Sequence, residues 1–255
     1  MKDHTMGRSC VGAIVLITGA NGGLGQEFVA QALARGAHKV YATARTAREW
    51  HDPRVVPLIL DVTDPASVAE AAQIASDTTH VINNAGVAFE GELATQSSAE
   101  VRRMFETNFF GALNVVNAFA PVLERNGGGV LLNVLSALSW LSGVANAYSA
   151  SKAALWSATN SLRLELAPRG TLVVGLHLGA TDTPMTAFLD VEKGLPSDVV
   201  AAAFDGIEAG QFEVLADETS VAVKRSLSGA IEAMYPQLVA APAEVVAASP
   251  QLVTA

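Results

Sequence analysis

Tyr148 and Lys152 stand four residues apart in the run Tyr148-Ser-Ala-Ser-Lys152. On a helix that spacing puts both side chains on one face, one turn apart. A phenol, with a pKa of about 10, is a poor proton donor and acceptor at neutral pH. An ammonium group beside it favours the phenolate and brings that pKa down. The pair is suited to giving a proton to an oxygen on which charge develops when a carbonyl carbon is attacked, or to taking one from an alcohol. A second constellation lies near the start of the chain, Thr18-Gly-Ala-Asn-Gly-Gly-Leu-Gly25. Its glycines allow a tight turn and a close backbone approach, and a helix starting there offers free N–H groups and a positive dipole end to a pyrophosphate. The alternative is an ordinary strand-to-helix turn.

The elements that must position these groups are legible as alternating patterns. Short apolar, β-branched runs at 12–18, 40–43, 55–60, 80–83, 130–134, 171–178 and 212–215 are predicted as strands. Stretches at 26–35, 65–75, 98–123, 147–166, 198–209 and 219–234 are predicted as helices, with Gly36 closing the first, Asp64 capping the second and Gly127-Gly128-Gly129 breaking off the third. Strand–helix alternation implies an α/β fold: a single-domain, doubly wound (Rossmann) parallel sheet of about seven strands with helices on both faces. The glycine turn then falls between the first strand and the first helix, where such sheets bind dinucleotides. No internal repeat or linker divides the chain. The expected organisation is a polar extension over residues 1–10, one domain over 11–238, and an Ala/Val/Pro-rich segment over 239–255 that is either a free tail or a strap on a partner subunit.

Composition narrows the class. Half of the 255 residues are hydrophobic, only 16% are charged, and the formal net charge is −9. Such a surface repels a phosphate-rich polymer, so no nucleic-acid partner is expected. Cys10 is the only cysteine, which rules out an internal disulfide and a cysteine zinc site. No ligand cluster for a metal is evident. No apolar run reaches the length needed to span a bilayer, and the first ten residues lack the apolar core of a secretion signal, so a cytoplasmic protein without membrane contact is expected.

The glycine turn and the Tyr–Lys pair resemble, in this order and position, the signatures of the short-chain dehydrogenase/reductase family, and further matches extend the resemblance over about residues 14–183. The resemblance implies an NADP(H)-dependent oxidoreductase that interconverts a ketone or aldehyde and an alcohol. It assigns Gly19, Asn21, Gly23, Leu24 and Gly25 to the cofactor's phosphates. In the family's NAD enzymes an Asp usually stands where this chain has Ala44; Arg45 follows with Arg48 close by, a planar guanidinium suits the additional phosphate of NADP, and Asn21 is placed to add a hydrogen bond. The other reading of Arg45 is a solvated surface charge. Asp61 and Val62 resemble the adenine-contacting pair, although an Asp after a strand is also a common helix cap. Asn83-Asn-Ala-Gly86 matches the family tetrapeptide unchanged; Asn83, Ala85 and Gly86 are expected beside the cofactor, the Asn side chains can tie adjacent strands together, and an Asn-rich turn is the alternative.

The resemblance also gives roles around the proton-transfer pair. Tyr148 is the acid/base, and Lys152 tunes it and binds the nicotinamide ribose. Ser136 holds the substrate oxygen. It precedes Tyr148 by 12 residues, one fewer than usual; Ser139 is a rival set further into the loop. Asn108 is expected to kink its helix and anchor a water that reaches the lysine. After the sixth strand Leu178 replaces the family's proline, while Thr181 and Thr183 still match the segment facing the cofactor. His177 reads as a structural strand residue rather than a catalyst. By analogy Trp140, Leu141 and Val144, with Met185, Phe188 and Leu189 of a lid over about 184–197, line an apolar substrate pocket; ordinary core packing is the alternative. The family assembles through helices corresponding to 98–123 and 147–166, which implies a homodimer or homotetramer. Two rival functions remain: an NADP(H)-binding regulatory protein without turnover, and an enoyl reductase or epimerase on the same scaffold.

Overall fold

The computed structural model describes residues 9–46, 48–143 and 146–239; the extension over 1–8, most of the segment over 239–255, and Val144 lie outside the described residues. Seven strands form one sheet: β1 (Ile14–Thr18), β2 (Lys39–Ala44), β3 (Val55–Ile59), β4 (His80–Asn83), β5 (Gly129–Val134), β6 (Thr171–His177) and β7 (Glu213–Leu215). Their spatial order is β3-β2-β1-β4-β5-β6-β7, and every pairing is parallel. Every residue of β4, β5 and β6 is buried. That explains why these runs are apolar throughout rather than alternating: helices cover both faces.

On one face, α1 (Gly23–Ala34) and α6 (Pro196–Glu208) pack on the sheet, with Phe28 and Phe204 meeting edge to face at 5.8 Å. On the other lie α2 (Pro65–Ile74), α4 (Ala112–Arg125) and α5 (Asn146–Leu166), with Phe119 and Leu162 in the core. Asp64 caps α2 as expected, accepting from the Ala66 N–H at 2.9 Å.

Two helices differ from expectation. The predicted helix over 98–123 is α3 (Ser98–Phe105), a π turn (Glu106–Gly111) and α4 in succession. Asn108 lies in the π turn and bonds sideways to Val87, a contact that accompanies the widened turn. The predicted helix over 219–234 is split into α7 (Glu218–Ser226) and α8 (Ile231–Met234), with Gly229, a poor helix former, in the break. The segment expected as a lid contains one 3-10 turn, Pro184–Thr186, and rejoins the body at a bridge between Thr181 and Gly194.

Parallel pairing brings the C-terminal ends of all the strands to one edge. The order reverses between β1 and β4, and the crevice opens there.

Candidate active site

A cleft of about 1060 Å³ runs along that edge from Arg45 and Asp61 to Ser136, Tyr148 and Met185. At the β1 end the chain leaves Thr18 through Gly19, whose φ of +66° lies in the left-handed region that side chains disfavour. A Cβ on Gly25 would sit 2.2 Å from the Gly19 carbonyl oxygen, so only glycine lets α1 start this close to the turn. Gly22, the N-cap of α1, provides no side-chain cap. The first amides of α1 therefore face the cleft without an internal acceptor, which suits a diphosphate.

The end of β4 is sewn to this turn. The Thr18 hydroxyl oxygen accepts from the Asn84 and Ala85 amides, both at 3.0 Å, and the Asn84 side chain donates to the Thr18 and Gly19 carbonyls at 2.9 and 3.2 Å. Asn83 faces away from the cleft. Its amide donates to Asn133 Oδ1 at 3.0 Å and to the Ala112 carbonyl at 3.2 Å, tying β4 to β5 and α4. The expectation that Asn83 stands beside a cofactor is thus corrected. As the last strand residue it points between layers, and Asn84, the next residue, lines the cleft.

The other expected cofactor residues, Gly19, Asn21, Gly23, Leu24, Gly25, Arg45, Asp61, Val62, Ala85, Gly86, Tyr148, Lys152, Thr181 and Thr183, all line the cleft. Asn21 donates to the Thr46 carbonyl at 3.0 Å, joining the glycine turn to the loop after β2. The Asp61 carboxylate accepts from the Thr63 amide and hydroxyl at 2.9 and 2.7 Å, and these bonds hold its pKa below the usual carboxylate value. Arg45 is exposed on the rim, whereas Arg48 is turned away, its guanidinium 5.0 Å from the centre of the Trp50 ring. Sequence reasoning missed Asn84, Val87 and the Arg103, Glu106 and Thr107 side of the π turn.

At the other end Ser136, Tyr148 and Lys152 converge from β5 and α5. Lys152 is buried, and its ammonium donates to the Val134 carbonyl at 2.6 Å, 5.7 Å from the centre of the Tyr148 ring. Burial pushes the Lys152 pKa down to about 8 and that of Tyr148 up to about 12; the hydrogen bond from Ser136 acts on Tyr148 in the opposite sense. Desolvation is the larger influence on Tyr148, and the lysine ammonium is engaged with a backbone carbonyl.

Ser136 is buried at the start of a 3-10 turn, Ala137–Ser139, and its hydroxyl accepts from the Leu138 amide at 3.0 Å. The rival, Ser139, uses its hydroxyl to accept the Ser136 amide at 3.2 Å and belongs to the scaffold. Asn108 exchanges two hydrogen bonds with Val87 at 2.8 and 2.9 Å and donates to the Ser151 hydroxyl at 3.0 Å. It shapes the site through the backbone after Gly86. Leu178, in place of the expected proline, is buried and lines the cleft, while the Gly179 amide is held by the Asp217 carboxylate at 2.6 Å.

Of the expected substrate residues that are described, only Met185 lines the cleft. Trp140 turns inward and stacks on His177, with ring centres 3.6 Å apart and planes 13° apart. Leu141 is half-buried outside the cleft lining, Phe188 is 47% exposed, and Leu189 does not line the cleft. A residue in the right loop is not thereby aimed at the pocket. Among the described residues no helix is long and apolar enough to cross a membrane, and no group of three metal-ligating side chains is found.

The family model described as short chain dehydrogenase matches residues 13–193. The chain is 37% identical over 179 residues to a 3-ketodihydrosphingosine reductase of Bacteroides thetaiotaomicron, covering 68% of this chain and 65% of that protein. It is 35% identical over 179 residues to an NADPH-dependent 1-acyldihydroxyacetone phosphate reductase of Schizosaccharomyces pombe, covering 66% of this chain and 60% of that one. The chain thus spans a little under two thirds of the length of both reductases. A short chain dehydrogenase of Burkholderia cenocepacia, crystallised in complex with NADP, superposes with a TM-score of 0.85 at 35% identity, covering 91% of this chain and all of that one.

Proposed function

The chain belongs to the short-chain dehydrogenase/reductase family of oxidoreductases, and from that premise we propose that it is an NADP(H)-dependent enzyme interconverting a hydrophobic ketone or aldehyde and the corresponding alcohol. The observation that carries this reading is the convergence of Ser136, Tyr148 and Lys152 on the cleft that also holds the uncapped glycine turn and Arg45.

The residues present fit the cofactor. The α1 amides and Gly19–Gly25 take the diphosphate, Asp61 and Val62 the adenine, Arg45 the additional phosphate, and Lys152 with Thr181 and Thr183 the nicotinamide side. When bound, NADPH supplies the hydride. Ser136 and Tyr148 hydrogen-bond the carbonyl oxygen, and Tyr148 Oη gives it a proton. The Lys152 ammonium, freed from Val134 to face the phenol, stabilises the phenolate left behind. Asn108 serves as a positioning residue for the backbone at Val87.

The substrate end is apolar, being lined by Val87, Leu135, Leu178 and Met185, which favours a hydrophobic carbonyl compound; the segment 184–197 acts as its lid. Exposed apolar side chains on the two helical stretches expected to pair between subunits, Phe110 and Leu164, support assembly into a homodimer or homotetramer there. The test is NADPH oxidation at 340 nm across a panel of aldehydes and ketones, with NADH in parallel. Turnover preferring NADPH is expected. Tight NADPH binding without turnover of any carbonyl compound would favour the regulatory alternative.

A further inference from the structure

His177 is fully buried, ends β6, and has no part in the chemistry proposed above. Its ring touches both ends of the turn that carries Ser136. Nδ1 stands 3.1 Å from the Ser136 carbonyl oxygen, and one face of the ring lies against Trp140. The carbonyl can only accept, so this contact is a hydrogen bond only if Nδ1 carries the proton. The Ser139 amide, donating at 2.9 Å, is the second donor on the same carbonyl.

The far side of the ring is set by three other elements. Glu213 of β7 places Oε1 3.5 Å from His177 Nε2, while its carboxylate accepts from Lys224 of α7 at 2.5 Å and from Trp156 of α5 at 3.3 Å. Lys224 also lies over the Trp140 ring at 4.6 Å. The charged groups facing His177 are thus Glu213, Lys224 and, from α5, Arg163. Nε2 is buried without a hydrogen-bond partner among the described residues, so the ring's one hydrogen bond runs through Nδ1. Burial favours that neutral form and outweighs the pull of Glu213.

We propose that His177 is a positioning residue for Ser136: as the Nδ1–H tautomer it holds the Ser136 carbonyl and the face of Trp140 together, and so sets the direction of the Ser136 hydroxyl. The proposal rests on the reading of Ser136 as a holder of the substrate oxygen. It also explains why Trp140 faces the core rather than the cleft. The Glu213–Lys224 pair supports the clamp from behind without touching the cleft.

Three variants separate positioning from simple packing. His177→Leu removes both polar contacts. His177→Asn keeps a donor near the Nδ1 position, and His177→Gln keeps one directed at Glu213. With the best carbonyl substrate of the panel, His177→Leu should lower kcat about tenfold, the size of one lost hydrogen bond to an oriented group, with NADPH affinity within about twofold of wild type. His177→Asn should recover most of that loss and His177→Gln should not. Equal kcat for the Asn and Gln variants, or wild-type kcat in a folded Leu variant, overturns the proposal. If the Leu variant does not fold, the Asn–Gln comparison still decides.

The second readout needs no turnover. In 15N-histidine NMR spectra of the full chain at neutral pH, the signal lost in His177→Asn should be that of an Nδ1–H tautomer. An Nε2–H tautomer overturns the clamp. A wild-type protein inactive on every carbonyl compound would defeat the proposed function instead, leaving the spectrum to judge the clamp alone.

Discussion

At the glycine-turn end of the cleft the lining is largely backbone: the uncapped amides of α1, the close approach at Gly25, and peptide groups held by Thr18 and Asn84. At the Ser136–Tyr148 end it is made of side chains whose directions depend on layers behind them: Lys152 on Val134, Asn108 on Val87, and His177 between Ser136 and Trp140. The first end is built from backbone held by near neighbours and can be written as a local sequence motif. The second has to aim individual atoms, and aim is a property of packing.

The difference can be tested by substitution. Tyr148→Phe removes the proton donor proposed for the aimed end and should lower kcat by about a thousandfold or more, with NADPH affinity within about twofold; retained turnover would remove Tyr148 from the mechanism. At the backbone end Gly25→Ala pushes a Cβ against the Gly19 carbonyl, where nothing flexible can give way. Titration of NADPH by fluorescence should show binding weakened by about a hundredfold, with a lowered Tm. Wild-type affinity would mean that the turn adapts.

Arg45→Ala tests a side chain at the backbone end. The ratio of kcat/KM for NADPH over NADH should fall roughly tenfold or more through loss of the phosphate contact, and an unchanged ratio would make Arg45 a solvated charge. The pH profile tests the aimed end. Lys152 is charged below about 8 and neutral above, so kcat/KM for carbonyl reduction should fall on the alkaline side of that value. In Lys152→Arg that limb should disappear from the accessible range, because guanidinium stays charged. The smallest effect separates Met185 from Trp140. Met185→Ala should raise KM for the carbonyl compound a few-fold at constant Tm, whereas Trp140→Ala should lower Tm and change KM little. The reverse pattern would return Trp140 to the pocket.

Much of this was legible because the signals are local. Strand positions follow from short β-branched runs, and the parallel order follows from strand–helix alternation. The residues of the glycine turn, and Tyr148 with Lys152, follow from types and spacings that backbone geometry makes unambiguous. What was misread depends on neighbours distant in sequence. Asn83 and Asn84 are adjacent and chemically identical, but only strand layering decides which one faces the cleft. The π turn arises where Asn108 meets Val87, 21 residues away. Trp140 lies in the loop expected to line the pocket, but it stacks on His177, 37 residues further along the chain.

The order of elements, the position of the glycine turn and the pairing of Tyr148 with Lys152 on one helix face were thus determined by the sequence alone, since each rests on contacts within a few residues or on a fixed helical period. How burial shifts the tyrosine's proton affinity, the direction of Ser136, and which apolar residues reach the cleft were decided only by the tertiary structure. Desolvation and side-chain aim are set by whatever packs behind a group, and that is not written next to it in the chain.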